Sequence, residues 1–386
     1  MQTDGTSVNA ANEQKDREST DTGQMLKLII SDLHLSTGIV QGKQNAYEEF
    51  YADRKLKEFL EYYSKGKYAN MDVELIIAGD FLDLLKVPYK GKFVENVTER
   101  IALDKVRRCL KGHPVVMDAL RDFIHCPGKR VTYIPGNHDQ DIFFPKVQKL
   151  LLARVDAMQQ PELFTFITND FYYRLPGGVV VTHGHMFEVM NRFDINNPLV
   201  DTKKGKIVNY PFGSRLVVSA IAPFKREEPL IGVVTPMPLF MLYGMIFRIS
   251  LAVRLMGAMI KFFFLYWLLP KHAEEGGIMK ALQIMYEQAA LFSNLERQAV
   301  RLLRNSDDIR VLIAGHSHAF KVRHFMHGKT YINTGTWTKF VNLDISDLGT
   351  RTYLTHARLD YTGNKQPRVR LLRWRGRMHL FEEIPN

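Results

Sequence analysis

Short apolar runs, each closed by polar residues, begin at Met25. Leu26–Ser31, Val73–Ala78 and Val131–Pro135 are rich in aliphatic and β-branched residues, the pattern of strands buried on both faces. Between the first two, Phe50, Leu56, Phe59, Leu60 and Tyr63 recur at helical spacing and predict a helix within Ala46–Tyr63. A second periodic segment, Pro114–Ile124, precedes the third strand. Phe171–Leu175 and Val179–Thr182 flank Pro176-Gly177-Gly178, which reads as a hairpin. Ile309–Ala314 predicts a further buried strand, preceded by a helix over Ile278–Arg304. Strand-like alternation returns in Tyr331–Thr334, Arg351–Leu359 and Arg368–Phe381. Strands alternating with helices predict an α/β architecture. Residues 1–24 carry no apolar run and are rich in Thr, Asn, Asp, Gln and Ser; they predict a disordered tail without a secretory signal.

Five of these strands end in side chains that can ligate metal. After the first come Asp32-Leu33-His34, after the second Gly79-Asp80-Phe81-Leu82-Asp83, and after the third Gly136-Asn137-His138-Asp139. His183-Gly184-His185 comes after Val179–Thr182, and Gly315-His316-Ser317-His318 after Val311–Ala314. The carboxyl ends of strands are where an open α/β sheet binds ligands, so five such ends can assemble one site from distant residues. Mixed carboxylate, imidazole and amide donors suit borderline divalent ions: manganese first, with iron, zinc or cobalt as alternatives. A carboxylate such as Asp80 has two oxygens and can bridge two cations, and a pair about 3.5–4 Å apart can stabilise both the attacking and the leaving oxygen of a phosphoryl transfer. A lone Asp-x-His is common, and an isolated histidine is more often packed or exposed than a ligand. Six of the 13 histidines fall in these five motifs, however, and the ordered set is specific. The other seven (His113, His125, His272, His324, His327, His356 and His379) match no motif and read as surface or packing residues.

The five motifs resemble those of the calcineurin-like metallophosphoesterase family, over about Met25–Glu188 and Arg310–Trp337. The resemblance implies an α/β/β/α sandwich, two packed β-sheets flanked by helices, and a dinuclear metal-dependent hydrolase of phosphoesters or pyrophosphates. It implies that Asp32, His34, Asp80 and His318 hold one metal and that Asp80, Asn137, His183 and His316 hold the other. His138 would face the phosphate, protonating the leaving oxygen or stabilising charge there, with Asp83 orienting it. His185 either lines the substrate pocket or supports the site from behind, and Asp139 braces its turn. Within the family, the UDP-2,3-diacylglucosamine pyrophosphohydrolases are a partial parallel, because they too place a helical insertion after the fourth motif. Their third and fourth motifs usually read Gly-Asn-Arg-Asp and His-Gly-Asp, whereas here they read Gly-Asn-His-Asp and His-Gly-His.

The stretch between His185 and His316 (186 to 315) is 130 residues, far more than a connector needs. The implied organisation is a phosphoesterase domain from 25–186 and 306–386, interrupted by a large apolar helical insertion at 187–305. The core of that insertion, Pro229–Pro270, is broken by only three charges: Arg248, Arg254 and Lys261. Aromatic residues Phe262, Phe263, Phe264, Tyr266 and Trp267 fit a helix lying in a headgroup layer, with a buried lid, an oligomer contact or a true span as alternatives. A net charge of +11 favours acidic partners: phosphorylated substrates, nucleic acid or anionic lipid. Arg368, Arg370, Arg373, Arg375 and Arg377 form either a solvated strand face or a headgroup patch. Two cysteines, Cys109 and Cys126, argue against a disulfide scaffold and for a reducing compartment. The expectation is a cytoplasmic enzyme, peripheral at the inner face of a membrane, acting on a lipid-linked phosphorylated substrate. A soluble nucleotide or nucleic-acid phosphodiesterase is the alternative, without an aromatic-interleaved basic groove to favour it. A non-catalytic membrane scaffold would not need all five motifs.

Overall fold

The computed structural model describes residues 24–39, 45–203, 205–229, 231, 234–235, 244–268, 294–342, 349–363, 366–376 and 381–383. The expected tail up to residue 23, the proline-broken part of the apolar run at 236–243, the first half of the predicted Ile278–Arg304 helix, His272, His379 and Arg377 lie outside the described residues.

Two sheets lie face to face. The larger has seven strands in the order Phe381–Glu383, Arg368–Trp374, Thr355–Thr362, Gln24–Ile30, Asp72–Ala78, Lys129–Ile134, Phe164–Phe166. Its last four run parallel, and the C-terminal three join antiparallel at the Gln24–Ile30 edge. The smaller has five strands in the order Lys321–His324, Thr330–Asn333, Val311–Ala314, Val179–Val181, Tyr173–Leu175. The last two are the hairpin that Pro176-Gly177-Gly178 predicts, paired antiparallel.

Side chains that alternate along a strand divide the apolar runs between two layers. Leu26, Leu28 and Ile30 face the helical layer with Leu75 and Ile77, meeting Leu56, Phe59 and Leu60 from helix Asp53–Tyr62 and Met117, Leu120 and Ile124 from helix Pro114–Ile124. Ile29, Ile76 and Ile134 face the other way and pack on Val179, Val181, Ile313 and Ile332 of the second sheet. The outer face of that sheet, through Val180, Leu312 and Tyr331, is covered by Leu295, Ala299 and Leu303 of helix Asn294–Asn305. Helix, sheet, sheet and helix are the four expected layers. Fully burying one such aliphatic side chain contributes about 1.5–3 kcal/mol, so the doubly covered strands are held from both faces.

Several elements differ from expectation, among them helix Pro145–Arg154, which the sequence reading lacks, and Arg351–Leu359, which is split between strands Gly349–Arg351 and Thr355–Thr362. Of the Ala46–Tyr63 stretch within which a helix is predicted, only Asp53–Tyr62 is helical. The Glu48 carboxylate accepts the N–H groups of Gly38 (2.7 Å), Glu49 (3.2 Å) and Phe50 (2.9 Å), which holds residues 48–50 out of helical geometry. Helix Glu99–Gly112 has no counterpart in the sequence reading: its buried face of Ala102, Val106, Cys109 and Leu110 is interrupted by Lys105, which is itself buried against Asp141 at 2.8 Å. The Arg368–Phe381 run is two strands rather than one, with Gly376 at φ +97° between them.

Residues after His185 pack onto the body. Phe193, Val208, Tyr210 and Val218 join the helical-layer core, and Ser214 donates to the Asn137 carbonyl at 3.1 Å. Helix Ile249–Leu268 packs Phe262 and Phe263 against Phe212, Leu216 and Ala220. Its other side carries Ile249, Val253 and Ile260, which are 67%, 62% and 62% exposed. Among the described residues no helix is long and apolar enough to cross a membrane. Both cysteines are free.

Candidate metal centre

The five motifs meet at one end of the two sheets. Asp32 and His34 follow strand Gln24–Ile30, Asp80 and Asp83 follow Asp72–Ala78, and Asn137 and His138 follow Lys129–Ile134. His183 comes from the second sheet after Val179–Val181, and His316 and His318 after Val311–Ala314. Loop N–H groups tie these ends together: Asp32 donates to the Gly79 carbonyl at 3.1 Å and His34 to the Asp80 carbonyl at 2.9 Å.

The backbone is held in an uncommon conformation where the donors stand. Asp32, His34, Asp80, His316 and His318 all have positive φ, between +51° and +69°. Such left-handed geometry costs a non-glycine residue on the order of 1–3 kcal/mol and persists only where the surroundings enforce it. Crowding explains one adjoining glycine: at Gly79, with φ +85°, a Cβ would come within 2.3 Å of the His183 ring.

Two clusters of donor atoms share Asp80. In the first, Asp32 Oδ1 lies 3.3 Å from His318 Nε2 and 3.8 Å from His34 Nε2, and the two imidazole nitrogens are 3.0 Å apart. In the second, His183 Nε2 lies 3.3 Å from Asp80 Oδ2 and 3.2 Å from Asn137 Oδ1, with His316 within the same donor group. Asp80 Oδ2 also stands 3.6 Å from His34 Nε2. One carboxylate oxygen therefore faces a nitrogen of each cluster, which is the geometry a bridging ligand requires.

The electrostatics favour cations. Burial opposes charge on His34, yet Asp32, Asp83 and Asp80 overcome it and push the imidazole up to about 10. His183 is likewise pushed up to about 9, against burial, by Asp80. Carboxylates that hold protons on buried imidazoles offer the same field to a divalent ion. Asp32 Oδ1 is fully buried with no hydrogen bond, although it belongs to an ionised group held far below the usual carboxylate range; burial opposes this, and His318 and His34 cause it. A buried anionic oxygen without a hydrogen bond, facing two imidazoles, calls for a cation, so the donor set fits divalent metal ions.

A third cluster, His34, Asp83 and His138, is different in kind. His138 Nδ1 stands 2.9 Å from Asp83 Oδ1. Asp83 stays ionised, far below its ordinary value: burial opposes this, and Lys86, the nearest cation, enforces it. The imidazole therefore donates from Nδ1 and turns Nε2 away from the aspartate. The Lys86 ammonium lies 2.7 Å from the other oxygen, Asp83 Oδ2, so this carboxylate already has a cation beside it.

The remaining expected residues lie around these clusters. Asp139 is fully buried and accepts from the Phe81 N–H at 2.9 Å, from the Gly136 N–H and from the Tyr133 hydroxyl, bracing the third turn against the second. His185 is 1% exposed, stacked on Phe193 with centroids 4.9 Å apart and edge-on to Phe171 at 5.2 Å. Burial, reinforced by His183 and His316, holds its pKa well below the ordinary value and keeps it neutral. Four groups absent from the sequence reading complete the site: Glu188, 2.9 Å from His316 Nε2; Asn191, 3.3 Å from the same atom; and Lys86 with Glu49 behind Asp83.

The model of the calcineurin-like phosphoesterase family matches residues 25–229, more than half of the chain. The chain belongs to the calcineurin-like phosphoesterases. It is accordingly a metal-dependent phosphoester hydrolase of a family that uses paired metals. A search of curated proteins found no match. Solved structures that align with it include a dimetal phosphatase from Danio rerio, at 12% identity over 89% of this chain and 98% of that one, with a TM-score of 0.36. Zinc-complexed Vps29 from Entamoeba histolytica aligns at 10% identity over 93% and 98%, with a TM-score of 0.30. A 5′-nucleotidase precursor from Thermus thermophilus aligns at 12% identity over 90% and 54%, with a TM-score of 0.32.

Proposed function

We propose that this phosphoesterase works with two divalent cations, manganese first among the candidates, on a phosphoester or pyrophosphate presented at a membrane surface. In this reading 25–186 with 306–386 is the catalytic body, and 187–305 is the accessory segment that meets the lipid. Asp32, His34, Asp80 and His318 hold one cation, and Asp80, Asn137, His183 and His316 hold the other. When bound, the pair supplies Lewis-acid stabilisation to the oxygens of the reacting phosphate. His138, aimed through Nδ1 by Asp83, keeps Nε2 for the leaving oxygen, to protonate it or to stabilise its charge. His185, neutral between two aromatic rings, supports His183 from behind rather than meeting solvent.

The observation that carries the membrane reading is the outward face of helix Ile249–Leu268. Ile249, Val253, Met256, Ile260 and Phe264 recur at helical spacing, all exposed. Arg254, on the flank, is half exposed and paired with Glu227. An apolar face with cations at its margin fits a helix lying in a headgroup layer. This helix is one packing layer from the metal centre, because it rests on the segment whose Ser214 binds Asn137.

The test uses manganese-loaded protein with two substrates: a soluble aryl phosphate and a phosphate ester of a lipid held in anionic vesicles. The triple variant Ile249→Ser, Val253→Ser, Ile260→Ser should keep both metals and its aryl phosphate turnover. It should float poorly with vesicles and lose activity on the vesicle-borne ester. A triple variant that floats and cleaves both substrates like the parent would remove the membrane from the proposal and favour a soluble phosphodiesterase.

A further inference from the structure

A row of buried charges runs from the 187–305 segment to the His138–Asp83 pair. Lys225, in the short 3-10 turn Ala222–Arg226, is 1% exposed. Its Nζ lies 2.6 Å from Glu49 Oε1, and the other oxygen of Glu49 lies 2.9 Å from Lys86 Nζ. Lys86 Nζ lies 2.7 Å from Asp83 Oδ2, and Asp83 Oδ1 lies 2.9 Å from His138 Nδ1. Glu49, Lys86 and Asp83 are all buried. The signs alternate along the row, and Lys225 is the one member that residues 187–305 supply; the others lie between positions 49 and 138.

Each buried ion costs several kcal/mol to desolvate, and the cost is recovered only while every partner is in place. Glu49 is held near 2, against burial, by Lys86 and Lys225 together. Lys225 itself is pushed below its ordinary value by burial despite Glu49, so it stands in that place at a cost. Without Lys225, the Glu49 carboxylate keeps Lys86 as its one salt-bridge partner among the described residues and draws that ammonium toward itself. Asp83 shares the same ammonium and loses part of its support, and the imidazole it aims is then less well fixed.

We propose that Lys225 is a positioning residue for phosphoester hydrolysis: seated on Glu49, it leaves Lys86 to brace Asp83, so the His138 ring is set only while residues 222–226 are docked. The proposal rests on the reading that His138 acts at the leaving oxygen. Its consequence is that the accessory segment, besides meeting the substrate's surroundings, completes the catalytic arrangement. Undocking it would slow turnover without removing a metal ligand.

The test compares Lys225→Met, Lys225→Arg, His138→Ala and the double variant Lys225→Met/His138→Ala on an aryl phosphate, with metal content measured for each. Lys225→Met should keep two metals and a nearly unchanged KM while kcat falls about 10- to 100-fold, the range for groups that orient a functional residue. Lys225→Arg should recover most of that loss. In the His138→Ala background, Lys225→Met should cost nothing more. In zinc-loaded protein, the downfield imidazole N–H resonance that His138→Ala abolishes should shift or broaden in Lys225→Met. Glu49→Gln, which keeps shape and hydrogen-bonding positions, is carried through the same comparison so that a folding failure of one variant does not decide the outcome. An unchanged kcat, or an equal loss in the presence and absence of His138, would overturn the proposal. If His138→Ala itself turned over like the parent, the assignment of His138 would fail, and the resonance would still report whether Lys225 positions the ring.

Discussion

Glu188 illustrates how far the ligand set depends on side chains outside it. Its Oε2 lies 2.9 Å from His316 Nε2 and also accepts from Asn191 Nδ2 at 2.9 Å. With Nε2 given to a carboxylate, Nδ1 is the nitrogen left for a cation, and the ring cannot turn over without breaking that bond. Carboxylates in this position fix the tautomer and raise the basicity of a ligating histidine. Glu188→Ala should therefore weaken the cation proposed for Asp80, Asn137, His183 and His316 by about 10- to 100-fold. The cation proposed for Asp32, His34, Asp80 and His318 should bind nearly as before. Zinc titration against a chromophoric chelator resolves the two affinities, and equal weakening of both, or of neither, would contradict the role. The nine donors that meet at the sheet ends were legible because each follows an apolar run within a few positions, in a short motif of Asp, Asn or His. Glu188, Glu49, Lys86 and Lys225 were not, because a supporting charge obeys no spacing rule and becomes visible only once distant elements meet.

At the scale of elements, the site is a set of strand ends with too little room. The apolar runs predicted the strands because alternating side chains had cores on both faces to enter. They could not predict where the chain turns left-handed, since positive φ at Asp32, His34, Asp80, His316 and His318 is enforced by neighbours across two sheets. Helix Glu99–Gly112 was hidden for a related reason, since its buried Lys105 reads as a polar position until Asp141 and Tyr210 are seen beside it. Gly136 tests the crowding directly. A Cβ there would lie 2.1 Å from Asp80 Oδ1 and 2.6 Å from the Asp80 backbone nitrogen. Its own backbone does not need glycine's freedom, so Gly136→Ala acts through space alone. Overpacking of this kind costs typically about 1–3 kcal/mol, and here the group displaced is the shared ligand. The variant should fold, lose at least one metal and lose hydrolysis with it. A Gly136→Ala protein with two metals and full turnover would mean that the turn relaxes without moving Asp80.

For the whole molecule, the question is what joins the helical layer to the sheet ends, and His113 is one such joint. It comes directly after helix Glu99–Gly112, is buried, and stands 3.0 Å from Glu48 Oε2 and 2.9 Å from Asp53 Oδ1. Glu48 in turn holds the backbone N–H of Gly38, in the loop that leaves the first motif, and Asp53 begins helix Asp53–Tyr62. One imidazolium thus ties two helices to the loop behind Asp32 and His34. Burial opposes its charge, but hydrogen bonds to Asp53 and Glu48 prevail and push its pKa up to about 9. The folded value lies above the unfolded value of about 6.5, so between the two the native state binds the extra proton. The contribution is fully present below pH about 6.5 and is lost as pH rises through about 9, and it is on the order of 3 kcal/mol. Urea unfolding of metal-free protein, with chelator present so that metal affinity does not titrate alongside, should show a drop in midpoint from pH 6 to pH 10. His113→Gln cannot take up that proton, so it should be less stable than the parent at pH 6 and similar to it at pH 10. A constant gap between the two proteins across this range would mean that His113 acts through packing and not through its charge.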